Sequence, residues 1–342
     1  MNESATPDVS PAHIWTLTNG FTAYFAVLAA DELGVFRALA EGSASVDELA
    51  LRCGADRGRL LALLGGNIAA GVLERDGDGF TLSAFAAAYL VPGKPGYLGA
   101  LLRHSPGPVE NWPALAATVR GEPPVRDVSL DDVGFLADLV EATFPSQIAT
   151  ARAAVDSLLA GRLPARARTL DLGAGAAPWT IAVLEYLPNA RGVVNDLPAV
   201  LPVAARHLRE HGLLDRVSMR VGDYWQFDFS DDRFDLAILA HVCRAEGDEG
   251  AAALVARVAE RLVPGGVILL AEYLLDDDLS GPSQAQLLGT TMMANTERGA
   301  TFTRSQACTW LTEAGLEVQV VAAPLPPTTV VVAQRPLAEV AP

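Results

Sequence analysis

"LDLGAGAAPW", residues 170–179, decides the fold. It closes a short apolar run, "RTLDL", and its glycines, Gly173 and Gly175, allow a tight turn before Pro178, which suits the first turn of a helix. Strand, turn and helix start within a dozen residues form the first half of a βαβ unit. The alternation continues: "GVVND", "VSMRV", "FDLAILA" and "GVILLAE" are short apolar runs separated by helical stretches such as "AVLPVAARHLREHG" and "EGAAALVARVAERLVPGG". Apolar strands between helices imply a parallel sheet covered on both faces. The tail, "GLEVQVVAAPLPPTTVVVAQRP", adds two runs around a Pro-rich turn, expected to pair antiparallel at one edge. The expected class is α/β: a Rossmann-like, doubly wound, mostly parallel seven-stranded sheet over residues 161–342.

The preceding sequence differs in period. Apolar residues recur at helical spacing through "IWTLTNGFTAYFAVLAADELGVFRAL" and "RGRLLALLGGNIAAG", and between them Ser45 and Glu48 have capping-box spacing. Two β-like runs then flank "DGDG", a hairpin signal. Helices followed by a two-stranded wing predict a winged-helix domain over residues 1–95, a unit that serves either DNA binding or dimerisation. A Pro/Gly connector, "VPGKPGYLG", leads into a helical linker assigned to residues 96–160.

Composition narrows the partners. With 342 residues, two domains are expected. Acidic residues outnumber basic ones 41 to 25, a net charge of -16 that repels nucleic acid and anionic lipid, so neither is expected as a partner. Arg52, Arg57, Arg59 and Arg75 are read as solvated helix faces rather than a DNA-binding patch. "MNESATPDVSPAH" has no signal-peptide pattern, and no run approaches the about 18 apolar residues of a membrane span, so a cytoplasmic chain is expected. Cys53, Cys243 and Cys308 have neither disulfide nor zinc spacing, and no metal site is expected.

The loop after the first strand is missing the third glycine of a dinucleotide fingerprint, where Pro178 stands, and the Gly-Lys-Ser/Thr of a P-loop. What remains suits a small zwitterion joined to a nucleoside. Asp196, in "VVNDLP", is placed to accept two ribose hydroxyls. Asp223, in "VGDYW", is placed to take an adenine amino proton while Tyr224 packs on the ring. Any one of these acids alone reads as a cap. Acids at successive strand tips beside one Gly loop favour a ligand site.

These stretches, with "LVPGGVILLAEYLL" and "MMANTERGATFTRSQACTWLTEAGL", resemble the class I S-adenosylmethionine-dependent O-methyltransferases with a winged-helix dimerisation domain, which act on plant phenolics and bacterial polyketides. The resemblance covers roughly residues 13–336. It implies S-adenosylmethionine as cofactor, a small-molecule acceptor from secondary metabolism or antibiotic biosynthesis, and a homodimer built through the N-terminal domain. Carried over by position, Asp171, Gly173, Gly175 and Ala240 line the cofactor, Asp196 and Leu197 its ribose, and Asp223 and Tyr224 its adenine. Met292, Met293, Asn295 and Thr296 fall on the helix that lines the acceptor site. By themselves the methionines read equally as core, and His104 reads as a surface or capping residue.

The chain departs from the family after the fourth strand. The expected His-Asp-Trp becomes Arg244, Ala245 and Glu246 in "HVCRAEGDE". Of the two acids that orient the missing histidine, one matches Glu272 and the other falls on Thr301. Arginine stays protonated and cannot act as base. Three compensations remain open. Arg244 can pair with an acceptor that is already anionic, which is the preferred reading; His241 can act as base; or the protein can hold the cofactor while a decarboxylation, hydroxylation or pericyclic step occurs beside it. Without an acceptor, Glu246 or Glu272 is expected to offset the Arg244 charge. A ligand-responsive DNA-binding regulator is the remaining alternative.

Overall fold

The computed structural model describes residues 12–128 and 133–337; the leaderless start expected for the chain falls mostly outside them. The chain divides into two compact units, Met1–Arg103 and His104–Pro342.

The first unit comprises α1 (Ala12–Glu32), α2 (Val35–Leu39), α3 (Val46–Cys53), α4 (Arg57–Ala69), the hairpin β1 (Leu73–Asp76) and β2 (Gly79–Leu82), and α5 (Ala84–Tyr89), while α6 (Gly99–His104) lies at the division. The helical run expected over 14–39 is broken at Gly34, whose φ of 75° lies in the left-handed region open to glycine. Ser45 and Glu48 form the expected capping box. Phe36, Leu49, Leu60, Leu64 and Phe80 fill the core, and Ala44 pairs with Phe80 to tie the wing to the helices. Three of the four arginines considered for a basic patch have local partners: Arg52 donates to Ala38 O, Arg57 pairs with Asp47 at 2.6 Å, and Arg75 packs over Phe80. On α1, Ile14, Trp15, Leu17 and Phe21 are all at least 60% exposed.

The second unit begins with α7 (Leu115–Val119) and α8 (Val133–Leu158), a 26-residue helix that continues through Pro145. Then come β3 (Arg168–Leu172), α9 (Pro178–Tyr186), β4 (Arg191–Asp196), α10 (Leu201–Glu210), β5 (Val217–Val221), β6 (Phe234–Ala240), α11 (Gly247–Ala259) and β7 (Leu262–Glu272). The chain ends with α12 (Ser283–Asn295), α13 (Arg304–Glu313), β8 (Glu317–Leu325) and β9 (Thr328–Gln334). The order is β5-β4-β3-β6-β7-β9-β8, with β5 through β7 parallel and β9 and β8 antiparallel at one edge. Alternate residues serve opposite faces: Leu236 and Ile238 pack with α8, α9 and α10, while Ala237 and Leu239 pack with α11 and α13. The doubly wound mostly parallel sheet is therefore as expected. One boundary moves. "LVPGG" belongs to β7 rather than to the preceding helix, because Leu262 pairs with Phe234 before the register shifts to Leu236–Val267.

In a parallel sheet the carboxyl ends share one edge. Gly173, Asp196, Asp223, His241 and Glu272 all lie at or just past those ends, the usual ligand-binding edge of an open α/β sheet. Among the described residues, no helix is long and apolar enough to cross a membrane.

Candidate active site

The loop after β3 is built for close backbone approach. Gly173 and Gly175 have φ of 63° and 59°, and a Cβ on Gly173 would collide with Val242 Cγ1. Ala177 caps α9 at a φ of 61° without a glycine, a feature with no sequence signal. The Gly175 amide donates to Asp196 Oδ2 and the Leu197 amide to Asp196 Oδ1, both at 2.7 Å. Burial raises the Asp196 pKa despite these bonds, and each oxygen keeps a lone pair for a ribose hydroxyl.

Asp171 stands differently. Its carboxyl is enclosed beneath the loop and accepts a 2.7 Å hydrogen bond from Thr180 Oγ1. Burial, reinforced by the Asp196 charge, pushes its pKa up to about 7. This bond ties β3 to α9. Asp223 accepts from the Trp225 amide at 2.8 Å, while the Tyr224 hydroxyl and Trp225 Nε1 both donate to Glu246. Arg257 donates to the carbonyls of Tyr224 and Phe227, fixing the same loop. Asn195 donates to the carbonyls of Arg220 and Gly222, joining the tips of β4 and β5. Thr180 and Asn195, and the role of Glu246 in holding Tyr224 and Trp225, are contributions that sequence reasoning missed. Nothing local marks them, since their hydrogen-bond partners lie 9 to 27 residues away and Glu246 also meets Arg298 across 52 residues.

Ala240 ends β6 opposite Ala271, and His241 follows at a φ of 60° with its amide donating to Ala271 O. His241 Nδ1 lies 3.5 Å from Glu272 Oε2 and 3.4 Å from Arg244 Nη1. The His241 Nε2 is buried and has no hydrogen-bond partner, and Tyr273 packs edge-on to the ring at 5.3 Å. Burial lowers the His241 pKa, and the Arg244 charge adds to this against the pull of Glu272. For Glu272 burial acts upward, yet the His241 bond and the Arg244 charge hold its pKa below the ordinary glutamate value. A carboxylate therefore faces a neutral imidazole. One nitrogen cannot both donate to Glu272 and accept from Arg244. The carboxylate favours Nδ1–H, which leaves the lone pair on Nε2.

Glu272, matched by position to an acid that orients residue 244, turns toward His241 and reaches Arg244 only through its backbone amide, at 3.2 Å. Of the two acids expected to offset the Arg244 charge, Glu272 feels that charge without bonding the guanidinium, whereas Glu246 is taken by Tyr224 and Trp225; among the described residues no carboxylate forms an ion pair with Arg244. Met292 and Met293 are half-buried on α12. Asn295 is committed elsewhere, accepting from Asn111 Nδ2 at 2.8 Å and donating to the carbonyls of Pro106 and Thr291. Thr296 bonds Met292 O and receives the Gly299 amide. The polar atoms of both thus have protein partners. Thr301 Oγ1 lies against Gly289 of α12, and His104 packs edge-on to Phe135 at 5.7 Å. Among the described residues no group of three His, Cys, Asp or Glu is arranged to hold a metal.

Comparison with known proteins bears on the family and the fold. Residues 146–317 match the model of the O-methyltransferase domain. The chain is 30% identical to the 3-hydroxy-5-methyl-1-naphthoate 3-O-methyltransferase of Streptomyces sahachiroi over 89% of each chain. It is 28% identical to the tetracenomycin polyketide synthesis 8-O-methyltransferase of Streptomyces glaucescens, over 95% of this chain and 97% of that one. The human N-acetylserotonin methyltransferase, solved with S-adenosylmethionine, has the same fold, with a TM-score of 0.81, 24% identity, and coverage of 97% of this chain and all of that one.

The enclosed Asp171 generates a pH prediction. With its pKa raised from the ordinary 3.8 to about 7, the folded state keeps a proton that the unfolded chain releases. This stabilising contribution is full below about pH 4 and is lost as pH rises through about 7. Asp171→Asn keeps the shape and removes the titration, so urea midpoints measured from pH 4 to 7 should decline less steeply than in the wild type. Identical slopes would rule out the assignment.

Proposed function

The chain belongs to the O-methyltransferase family, and from that premise we propose that it transfers the methyl of S-adenosylmethionine to a hydroxyl of a small aromatic or polyketide-like metabolite, with His241 and Glu272 replacing the base lost at position 244. The observation that carries the base assignment is the orphaned Nε2 of His241 on a ring whose Nδ1 faces a buried carboxylate. The substrates named for the two Streptomyces relatives support the acceptor class.

The residues fit the cofactor. The bare backbone of Gly173 and Gly175 admits its methionine portion, the Asp196 carboxylate accepts ribose hydroxyls, and Asp223 with Tyr224 flanks the adenine. When bound, S-adenosylmethionine supplies an electrophilic methyl for in-line displacement. The protein's task is to deliver an ionised oxygen. Ionising a phenol of pKa near 10 at pH 7 is uphill by about 4 kcal/mol, and a positioned base typically contributes about 10²–10⁴ in rate. His241 Nε2 takes the acceptor proton while the Nδ1 proton stays on the ring, donated to the Glu272 carboxylate, which stabilises the resulting imidazolium. Burial of both groups excludes water, which strengthens their interaction.

His241→Ala should lower kcat by about 10²–10⁴ while leaving S-adenosylhomocysteine affinity unchanged. Because burial lowers the His241 pKa, the acidic loss of rate should lie below the ordinary histidine value of 6.5, since protonated His241 cannot accept a proton. Each product molecule should be matched by one S-adenosylhomocysteine. Product formed with intact cofactor would replace methyl transfer by a non-methylating reaction at the same site.

The apolar face of α1 supports a homodimer through the N-terminal unit, because four large side chains at least 60% exposed on one helix favour burial in a partner. Light scattering should give a dimer mass for the wild type and a monomer mass for the Trp15→Glu, Phe21→Glu double variant; a monomeric wild type would exclude this assembly.

A further inference from the structure

Arg244 sits in the turn that follows β6, half-buried and, among the described residues, without an ion pair. Its recorded side-chain contact is the 3.4 Å approach to His241 Nδ1. That contact holds only if Nδ1 carries a lone pair. In the tautomer that makes Nε2 a base, Nδ1 is protonated toward Glu272, and Arg244 loses its acceptor. The two acids nearby do not compensate, since Glu246 is occupied by Tyr224 and Trp225, and Glu272 meets Arg244 through the backbone amide. The Glu272 carboxylate feels the Arg244 charge but, among the described residues, no carboxylate bonds the guanidinium, and a partly desolvated cation without a bonded counter-ion gains when an anion binds.

We propose that Arg244 anchors a carboxylate carried by the acceptor, so that the substrate is an aryl or polyketide-type hydroxy acid rather than a neutral phenol. This deepens the reading of His241 as the base. If His241 removes the hydroxyl proton, the acceptor oxygen arrives neutral, and the Arg244 charge serves a second group. A guanidinium matches a carboxylate with two parallel N–H···O bonds, and it fixes orientation as well as charge. His241 and Arg244 are three residues apart on one turn, so proton removal and anion recognition address different oxygens of one small molecule. The two compensations that stand as alternatives in the sequence are then compatible.

The test is equilibrium binding to protein saturated with S-adenosylhomocysteine, which needs no turnover. The probes are matched pairs differing by one carboxylate: 4-hydroxybenzoate with phenol, and 3-hydroxy-2-naphthoate with 2-naphthol. The acids should bind at least about tenfold more tightly than their neutral partners, the gain expected of a charge-assisted contact. Arg244→Gln should abolish the preference and Arg244→Lys should restore part of it, with S-adenosylhomocysteine affinity and circular dichroism unchanged in both. A preference that follows Arg244 while His241→Ala leaves turnover intact would keep the anchor and reject the base. If the wild type shows no preference for the acids, because neutral partners bind as well or because no acid binds, the proposal is overturned. A preference that survives in Arg244→Gln overturns it equally.

Discussion

The constraint on which the site depends is the absence of a side chain at Gly173, where Val242 Cγ1 fills the space that a Cβ would need. Strands β3 and β6 are parallel neighbours, so the loops leaving them emerge side by side, and this contact sets their separation. Val242 is flanked by His241 and Cys243. The glycine therefore shapes the cofactor loop and also fixes where the turn bearing His241 and Arg244 begins. Any residue larger than glycine would push the two loops apart where the turns bearing Gly173 and His241 meet.

Around that contact, three buried acids and the half-buried Asp196 are held in four different ways. Asp171 is enclosed with a hydroxyl donor, Asp196 is cradled by two amides, Glu246 receives a phenol and an indole, and Glu272 shares its charge with an imidazole and an amide. Their pKa directions differ accordingly, with Asp171 and Asp196 raised and Glu272 lowered. The difference is one of neighbours rather than depth: Asp171 and Glu272 are both fully enclosed, yet only Glu272 has an imidazole and a guanidinium nearby.

What was legible in the sequence was what is local. The Gly turn, the capping box at Ser45 and the alternation of apolar runs each involve neighbours within a few residues, so they predict the sheet, its helices and the acid at the β4 tip. The partner of Glu272 was not legible. Position places it opposite residue 244, but the left-handed backbone at His241 turns that ring toward the carboxylate instead. Glu246 was read as a lost tryptophan or a counter-ion for Arg244, because its actual donors, Tyr224 and Trp225, lie on another loop. "LVPGG" falls at the junction of a helical run and an apolar strand run, and only the long-range pairing of Leu262 with Phe234 assigns it to the strand.

Asn295 ends α12 and fastens it to the segment that precedes α8: Asn111 donates to its side chain, Pro106 O accepts from it, and its carbonyl receives the Val128 amide. A Cβ on Gly107 would strike the same amide group. These positions are interlocked, and a change at either has to be matched at the other. The helix bearing Met292 and Met293 thus has a fixed C-terminal anchor and cannot slide along its axis without breaking that knot. Divergence of this surface among related chains would accordingly proceed by exchange of side chains on a stationary scaffold, and redesign of those methionines can treat the backbone beneath them as given.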